Sequence, residues 1–233
     1  MPRIEAIIFD KDGTLFDFRA TWGVWAMALL DRLAGGDRAL FRDAGAAIGF
    51  DPEAGGFHPS SIVIAGTVWQ VAEALAPVVG RDRAEVIAIG DRIAAETEPV
   101  PAVDLLACLG ELGRGRPLGL VTNDSEVPAR AHLDRSGITE HFEFIAGYDS
   151  GHGAKPEPGP LLAFAGATGV DPAATLMVGD STHDLIAGTR AGMIPVGVLT
   201  GIAGVETLAP HAEVVLRDIG ELAAWIAARD ARA

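Results

Sequence analysis

Two aspartates with one residue between them, Asp10 and Asp12, follow directly on the apolar run "IIF" and are themselves followed by Gly13 and Thr14. Like charges gathered at the end of a core strand are unfavourable unless something positive sits between them. Three more polar clusters follow apolar runs or lie in loops: Thr122, Asn123 and Asp124 after "PLGLV", Lys155 within "YDSGHGAKPEPG", and Asp180, Ser181 and Asp184 in "VGDSTHD". As a set these groups suit phosphoryl chemistry. A carboxylate at Asp10 can attack phosphorus and carry the phosphoryl group, splitting one difficult displacement into two easier ones. Mg2+ held by Asp10 and Asp180 would lower the repulsion between carboxylate and phosphate, because hard oxygen ligands suit that ion. Lys155 adds a fixed positive charge and Thr122 a hydroxyl donor, the kind of charge stabilisation that phosphoryl transfer asks for. Asp12 is left for proton work, first at the departing alkoxide and then at the attacking water. Gly13 permits the turn that lets both acids face one site.

For these groups to meet, the elements before them must end at one edge. Short apolar runs at residues 4–9, 117–122, 142–146, 174–179, 194–199 and 213–216 read as strands. Helical patterns at 102–112, 126–136, 159–168, 182–191 and 219–230 alternate with them, several stopping at a glycine. Strand–helix alternation with nearly continuous apolar strands predicts an α/β class: a parallel sheet covered on both faces, with ligands beyond the carboxyl ends of the strands. Residues 18–96 break this alternation. They are Ala-rich, helical in pattern and interrupted by Gly and Pro. The expected division is therefore a core of residues 1–17 and 97–233, with an all-α insertion at 18–96 after the first strand, placed to cover its active edge. Within the insertion, "SSIVIAG" at 60–66 reads as the start of a helix at Ser60 or Ser61.

The formal net charge of −14 argues against a nucleic-acid footprint and against electrostatic attachment to anionic membranes. An anionic substrate then needs a locally positive pocket, which favours a bound cation. The single cysteine, Cys108, excludes an internal disulfide and a Cys-rich metal site. The first Met runs straight into a strand, and no apolar stretch is long enough to span a bilayer, so a cytoplasmic protein without membrane contact is expected.

The stretches "DKDGT", "VTN", "AKPEP" and "GDSTHD", in that order over residues 9–184, resemble the four motifs of the haloacid dehalogenase superfamily of phosphohydrolases. The layout is most similar to its small-metabolite phosphatases, of the phosphoglycolate phosphatase type. The resemblance implies a three-layer α/β/α, Rossmann-like core, with residues 18–96 as a helical cap of the first type. It implies Asp10 as nucleophile and Asp12 as general acid/base. Thr122 and Lys155 would stabilise the phosphoryl group, with Asn123 beside them. Asp180 would be a metal ligand, Asp184 would support the metal shell or Lys155, and the backbone carbonyl of Asp12 would complete the Mg2+ set. The expected partner is a small phosphorylated metabolite, the protein itself being a monomer or homodimer. A phosphomutase of the same superfamily, or a phospho-accepting signalling module without turnover, are the alternatives.

Other residues carry weaker expectations. Lys11, between the two acids, either softens the local field or faces solvent, and its loop position favours solvent. Trp22 and Trp25, three apart, read as helix packing. His152 and His183 read as non-catalytic, Asp17 as a turn or hinge residue, and Cys108 as a buried helix residue. His58, Ser60 and Ser61, in a Gly- and Pro-bearing loop, are candidate contacts to a leaving group.

Overall fold

The computed structural model describes residues 2–231. The chain opens with β1 (Ala6–Phe9), then runs through α1 (Phe18–Ala34), α2 (Arg38–Ile48), the two-residue strands β2 (Phe50–Asp51) and β3 (Gly56–Phe57), α3 (Val68–Val79) and α4 (Arg83–Glu96). It continues with α5 (Leu105–Leu112), β4 (Leu118–Val121), α6 (Glu126–Arg135), β5 (Phe144–Ala146), α7 (Gly159–Thr168), β6 (Thr175–Gly179) and α8 (Thr182–Arg190). The last elements are β7 (Ile194–Val198), α9 (Val205–Leu208), β8 (Val214–Leu216) and α10 (Leu222–Asp230).

Six strands form one sheet in the order β5-β4-β1-β6-β7-β8, every pairing parallel. β1 lies inside it, with Ile8 opposite Gly119 on one side and Met177 on the other. Successive side chains of a strand point to opposite faces. Ile7 and Phe9 accordingly join one buried cluster with Leu109, Leu133 and Ile226, while Ala6 and Ile8 join another with Phe164 and Ala187. Helices thus cover both faces, the three-layer α/β/α architecture that continuous apolar strands require. Each expected strand is present, shortened by a residue or two at its ends. Among the described residues no helix is long and apolar enough to cross a membrane.

Between residues 18 and 96 a separate apolar cluster forms from Phe18, Trp25, Leu29, Leu30, Ile48, Leu75 and Val86. The chain enters and leaves this region through two segments that pair with each other: Asp17 N–H donates to Val100 O at 2.7 Å, and Ala102 N–H to Leu15 O at 2.9 Å. Asp17 is also the N-cap of α1, its carboxylate accepting from Ala20 N–H.

Two local expectations fail here. Residues 60–66 are turns, not the start of a helix. Ser61 donates its hydroxyl to Ile48 O at 2.5 Å, and the helix instead begins where Thr67 and Gln70 cap each other reciprocally. The insertion at 18–96 is also not all-α: it holds the β2–β3 hairpin, whose two residues per strand give no readable alternation. Cys108 lies on α5 as expected, but it is only partly buried.

Gly119 is demanded by close packing between the β4 backbone and α7. A Cβ there would come 2.6 Å from Phe164 Cδ2. Gly119→Ala is expected to destabilise the protein by about 1–3 kcal/mol through overpacking, read by chemical denaturation; an unchanged midpoint would contradict this packing.

Candidate active site

The carboxyl ends of β1, β4 and β6 bring the sequence-predicted groups together. Asp10 follows β1 directly, and its N–H donates to Val178 O of β6 at 2.9 Å. Lys155 reaches the same point from the loop after β5. Its Nζ donates to Asp10 Oδ1 at 2.6 Å and to Val121 O at 2.8 Å, and it lies 2.7 Å from Asp184 Oδ1. Asp184, in the first turn of α8, also accepts from Ser181 N–H and Oγ. Asp180 directly follows β6 and is almost fully buried.

Asp10, Asp180 and Asp184 each offer a carboxylate oxygen, and these atoms lie within 4.8 Å of one another. Three buried carboxylates against one ammonium leave uncompensated negative charge in a low-dielectric site. Burial, then Asp184 and Asp12, raise the Asp10 carboxyl to about 7 despite the opposing pull of Lys155. Burial, then Asp10 and Asp184, raise Asp180 well above the ordinary carboxylate range. Two glycines make room for Asp180. A Cβ on Gly13 would come 2.4 Å from its Oδ2, and one on Gly201 only 1.7 Å away. Gly13 also has φ +85°, as the turn after Asp12 requires. An all-oxygen, buried, carboxylate-rich site cradled by glycines fits a hard divalent cation. The Asp12 carboxylate lies outside this trio.

Thr122, nearly fully buried, accepts from Asp124 N–H at Oγ1, which leaves its hydroxyl hydrogen to donate. Asn123 donates through Nδ2 to Lys155 O and to Ala65 O, both at 2.9 Å, and accepts from Lys155 N–H at 3.0 Å. Both its amide hydrogens are engaged, so Asn123 braces the Lys155 loop and the 60–66 turns rather than presenting a free donor.

Lys11 does not face solvent. Its side chain is fully buried, with Nζ 2.8 Å from Asp12 Oδ2, 3.0 Å from Asp124 Oδ2 and 3.1 Å from His132 Nδ1, and 5.3 Å from the ring centre of Trp22. Burial works against its charge, yet Asp12 and Asp124 push its pKa up overall. Asp124 is itself raised to about 6 by burial, with Lys11 pulling the other way. His132 Nε2 lies 2.7 Å from Ala94 O on α4. Burial, then the Lys11 charge, lower the ring to about 4. It stays neutral, donating to Ala94 and accepting from Lys11. The local sequence could not reveal this, since Asp124 and His132 are more than a hundred residues from Lys11.

One cavity opens over Asp10, Asp12, Thr122, Asn123, Lys155, Asp180 and Asp184, and its opposite wall comes from residues 18–96. Trp22 and Trp25 pack edge to face at 4.8 Å, as their spacing suggests, and both also line this cavity. His183 lines it too, its pKa lowered by burial. His58 and Ser60 are exposed and bond each other, and Ser61 caps the end of α2; none of the three lines the cavity, whose wall there is Val63, Ile64, Ala65 and Gly66. His152 stacks near Phe144, away from the cavity.

The model of the haloacid dehalogenase-like hydrolases matches residues 4–192. The chain belongs to that family. Among curated relatives of the family, it is 31% identical over 223 residues to a phosphoglycolate phosphatase of Neisseria gonorrhoeae, covering 89% of this chain and 85% of that one. It is 32% identical over 229 residues to a phosphoglycolate phosphatase of Chromobacterium violaceum, covering 95% and 96%. Its fold is similar to that of L-2-haloacid dehalogenase from Xanthobacter autotrophicus, with TM-score 0.62 at 20% identity over 96% of this chain and 98% of that one.

Lys11→Met leaves the buried Asp124 and the partly buried Asp12 without their cation and is expected to cost about 3–5 kcal/mol in chemical denaturation; a loss below about 1 kcal/mol would show that these pairs are worth no more than exposed ones. In an NMR titration, His132 should remain neutral from pH 7 down to about 5, because a depressed folded-state pKa delays protonation. Titration near the ordinary histidine value would contradict the buried Lys11–His132 contact.

Proposed function

We propose that this protein is a Mg2+-dependent phosphatase that hydrolyses a small-metabolite phosphate monoester through a phosphoryl group carried on Asp10. The observation that carries the reading is the convergence of Asp10, Lys155, Asp180 and Asp184 at the strand ends, with Lys155 Nζ 2.6 Å from the Asp10 carboxylate. The family membership and the names of its relatives support it.

Asp10 attacks the phosphorus, and the bond from phosphorus to the leaving alcohol's oxygen breaks. Asp12 gives that oxygen a proton. Asp12 then takes a proton from water as the water attacks the phosphorus, and the bond to Asp10 breaks to release phosphate. Lys155 and the Thr122 hydroxyl stabilise the charge on the phosphoryl oxygens. Asp10, Asp180, Asp184 and the Asp12 backbone carbonyl would hold Mg2+, which when bound offsets the negative charge of the carboxylates and the phosphate. Residues 18–96 act as a cap over a core of residues 1–17 and 97–233. Their separate apolar cluster and the paired crossing segments at Leu15–Asp17 and Val100–Ala102 support that division. Cap closure excludes bulk water from the site.

Asp10→Asn is expected to lower kcat about a thousandfold or more with the circular dichroism spectrum unchanged; full activity in that variant overturns the scheme. Release of phosphate from a monoester without added bisphosphate separates hydrolysis from mutase chemistry. Because Asp10 is raised to about 7, a cation binding there displaces a proton. Mg2+ affinity should therefore climb with pH through neutrality, because the Asp180 carboxyl, which is raised as well, must also ionise. Calorimetry in two buffers of different ionisation enthalpy reads the released proton, and an affinity independent of pH would contradict a carboxylate that must first ionise.

A further inference from the structure

Beyond the phosphoryl end, the cavity is bounded by Phe18, Trp22, Trp25, Val63, Val68 and Val71. This wall is apolar and aromatic, with two polar features. Asp91 on α4 is half-buried and accepts from Ser125 Oγ at 2.9 Å. The Trp22 indole Nε1–H is buried and has no acceptor, although Trp22 itself is only 8% exposed. A buried donor without a partner is unfavourable, and a ligand oxygen would relieve it.

Cations are what this part of the cavity lacks. Among the described lining residues Lys155 is the only lysine or arginine, and its ammonium is already held by Asp10, Asp184 and Val121 O. Lys11 lies buried behind the wall, shared between Asp12 and Asp124. His183, the remaining basic side chain, stands beside Asp184 at the start of α8 and brings no ammonium or guanidinium. A carboxylate on the leaving group would be desolvated against apolar walls and Asp91 with no cation to receive it.

Resting on the phosphatase reading, we infer that the leaving alcohol is uncharged, with an apolar body and at least one oxygen that accepts from Trp22 Nε1. Esters whose leaving group carries a carboxylate, such as phosphoglycolate, are the wrong chemistry for this wall, whatever the relatives turn over. Asp91 and Trp22 are then specificity-determining residues: Asp91 repels anionic leaving groups and Trp22 hydrogen-bonds neutral ones.

The test is phosphate release by the Mg2+-loaded wild-type protein from three esters. These are 2-phosphoglycolate, 2-hydroxyethyl phosphate, which replaces the carboxylate by a hydroxymethyl group, and 2-phenylethyl phosphate. The expected kcat/KM for 2-hydroxyethyl phosphate exceeds that for 2-phosphoglycolate by at least about tenfold, with a further gain for the phenyl body. Asp91→Asn should narrow the first gap by raising turnover of 2-phosphoglycolate. Trp22→Phe should raise KM for 2-hydroxyethyl phosphate about five- to tenfold, and more than for 2-phenylethyl phosphate, since one hydrogen bond is lost and the aromatic wall kept. Turnover of 2-phosphoglycolate as good as or better than that of 2-hydroxyethyl phosphate overturns this inference and leaves the phosphatase reading standing. No phosphate from any of the three, nor from p-nitrophenyl phosphate, overturns the phosphatase reading and the inference with it.

Discussion

The ammonium of Lys155 is the point on which the site depends. It is nearly inaccessible to water, and it joins Asp10 after β1, Val121 at the end of β4 and Asp184 at the start of α8. The partner most distant along the chain, Asp10, lies 145 residues from Lys155. A buried lysine is tolerated only where anions surround it, and buried carboxylates only where a cation answers them. The two requirements meet here, but unequally, because three acids face one ammonium. The surplus negative charge makes a divalent cation the natural complement and would hold an anionic phosphate only once that cation is present.

A second buried lysine repeats the arrangement one residue past Asp10. Lys11 draws Asp12 and Asp124 together and, through His132, reaches the Ala94 carbonyl on α4. Asn123 makes a similar bridge, from the Lys155 loop to Ala65. The acid proposed for proton transfer and the brace of the phosphoryl site are thus both tied to the helical region above them. Hydrogen bonds therefore run from both groups into that region, the one through His132 being fully buried.

Much of this was legible from residue order alone. The six strands announced themselves as apolar runs, and the polar residues after them had to share an edge because the sheet is parallel. Glycine at position 13 followed from the need for a turn that lets both acids face one site. Lys11 was misjudged because its partners are contiguous only in space: nothing within its neighbourhood in the chain indicates Asp124 or His132. The glycine at 201 escaped notice for the same reason, since it is the approach of Asp180 that excludes a side chain there. In residues 60–66 the local signal was ambiguous. Ser61, which can start a helix, instead bonds the end of α2, and Thr67 with Gln70 makes the helix cap. The specificity wall was missed because apolar residues at helical spacing look the same whether they line a cavity or fill a core, as Trp22 and Trp25 do at once.

The central claim is that Asp10 itself carries the phosphoryl group. Rapid quenching during turnover, followed by borohydride reduction and peptide mass spectrometry, addresses it directly, because an acyl phosphate is reduced to an alcohol where a free carboxylate is not. The account predicts reduction at residue 10 that requires both substrate and Mg2+. Continued turnover with residue 10 unreduced, and reduction found at another acid instead, would contradict it.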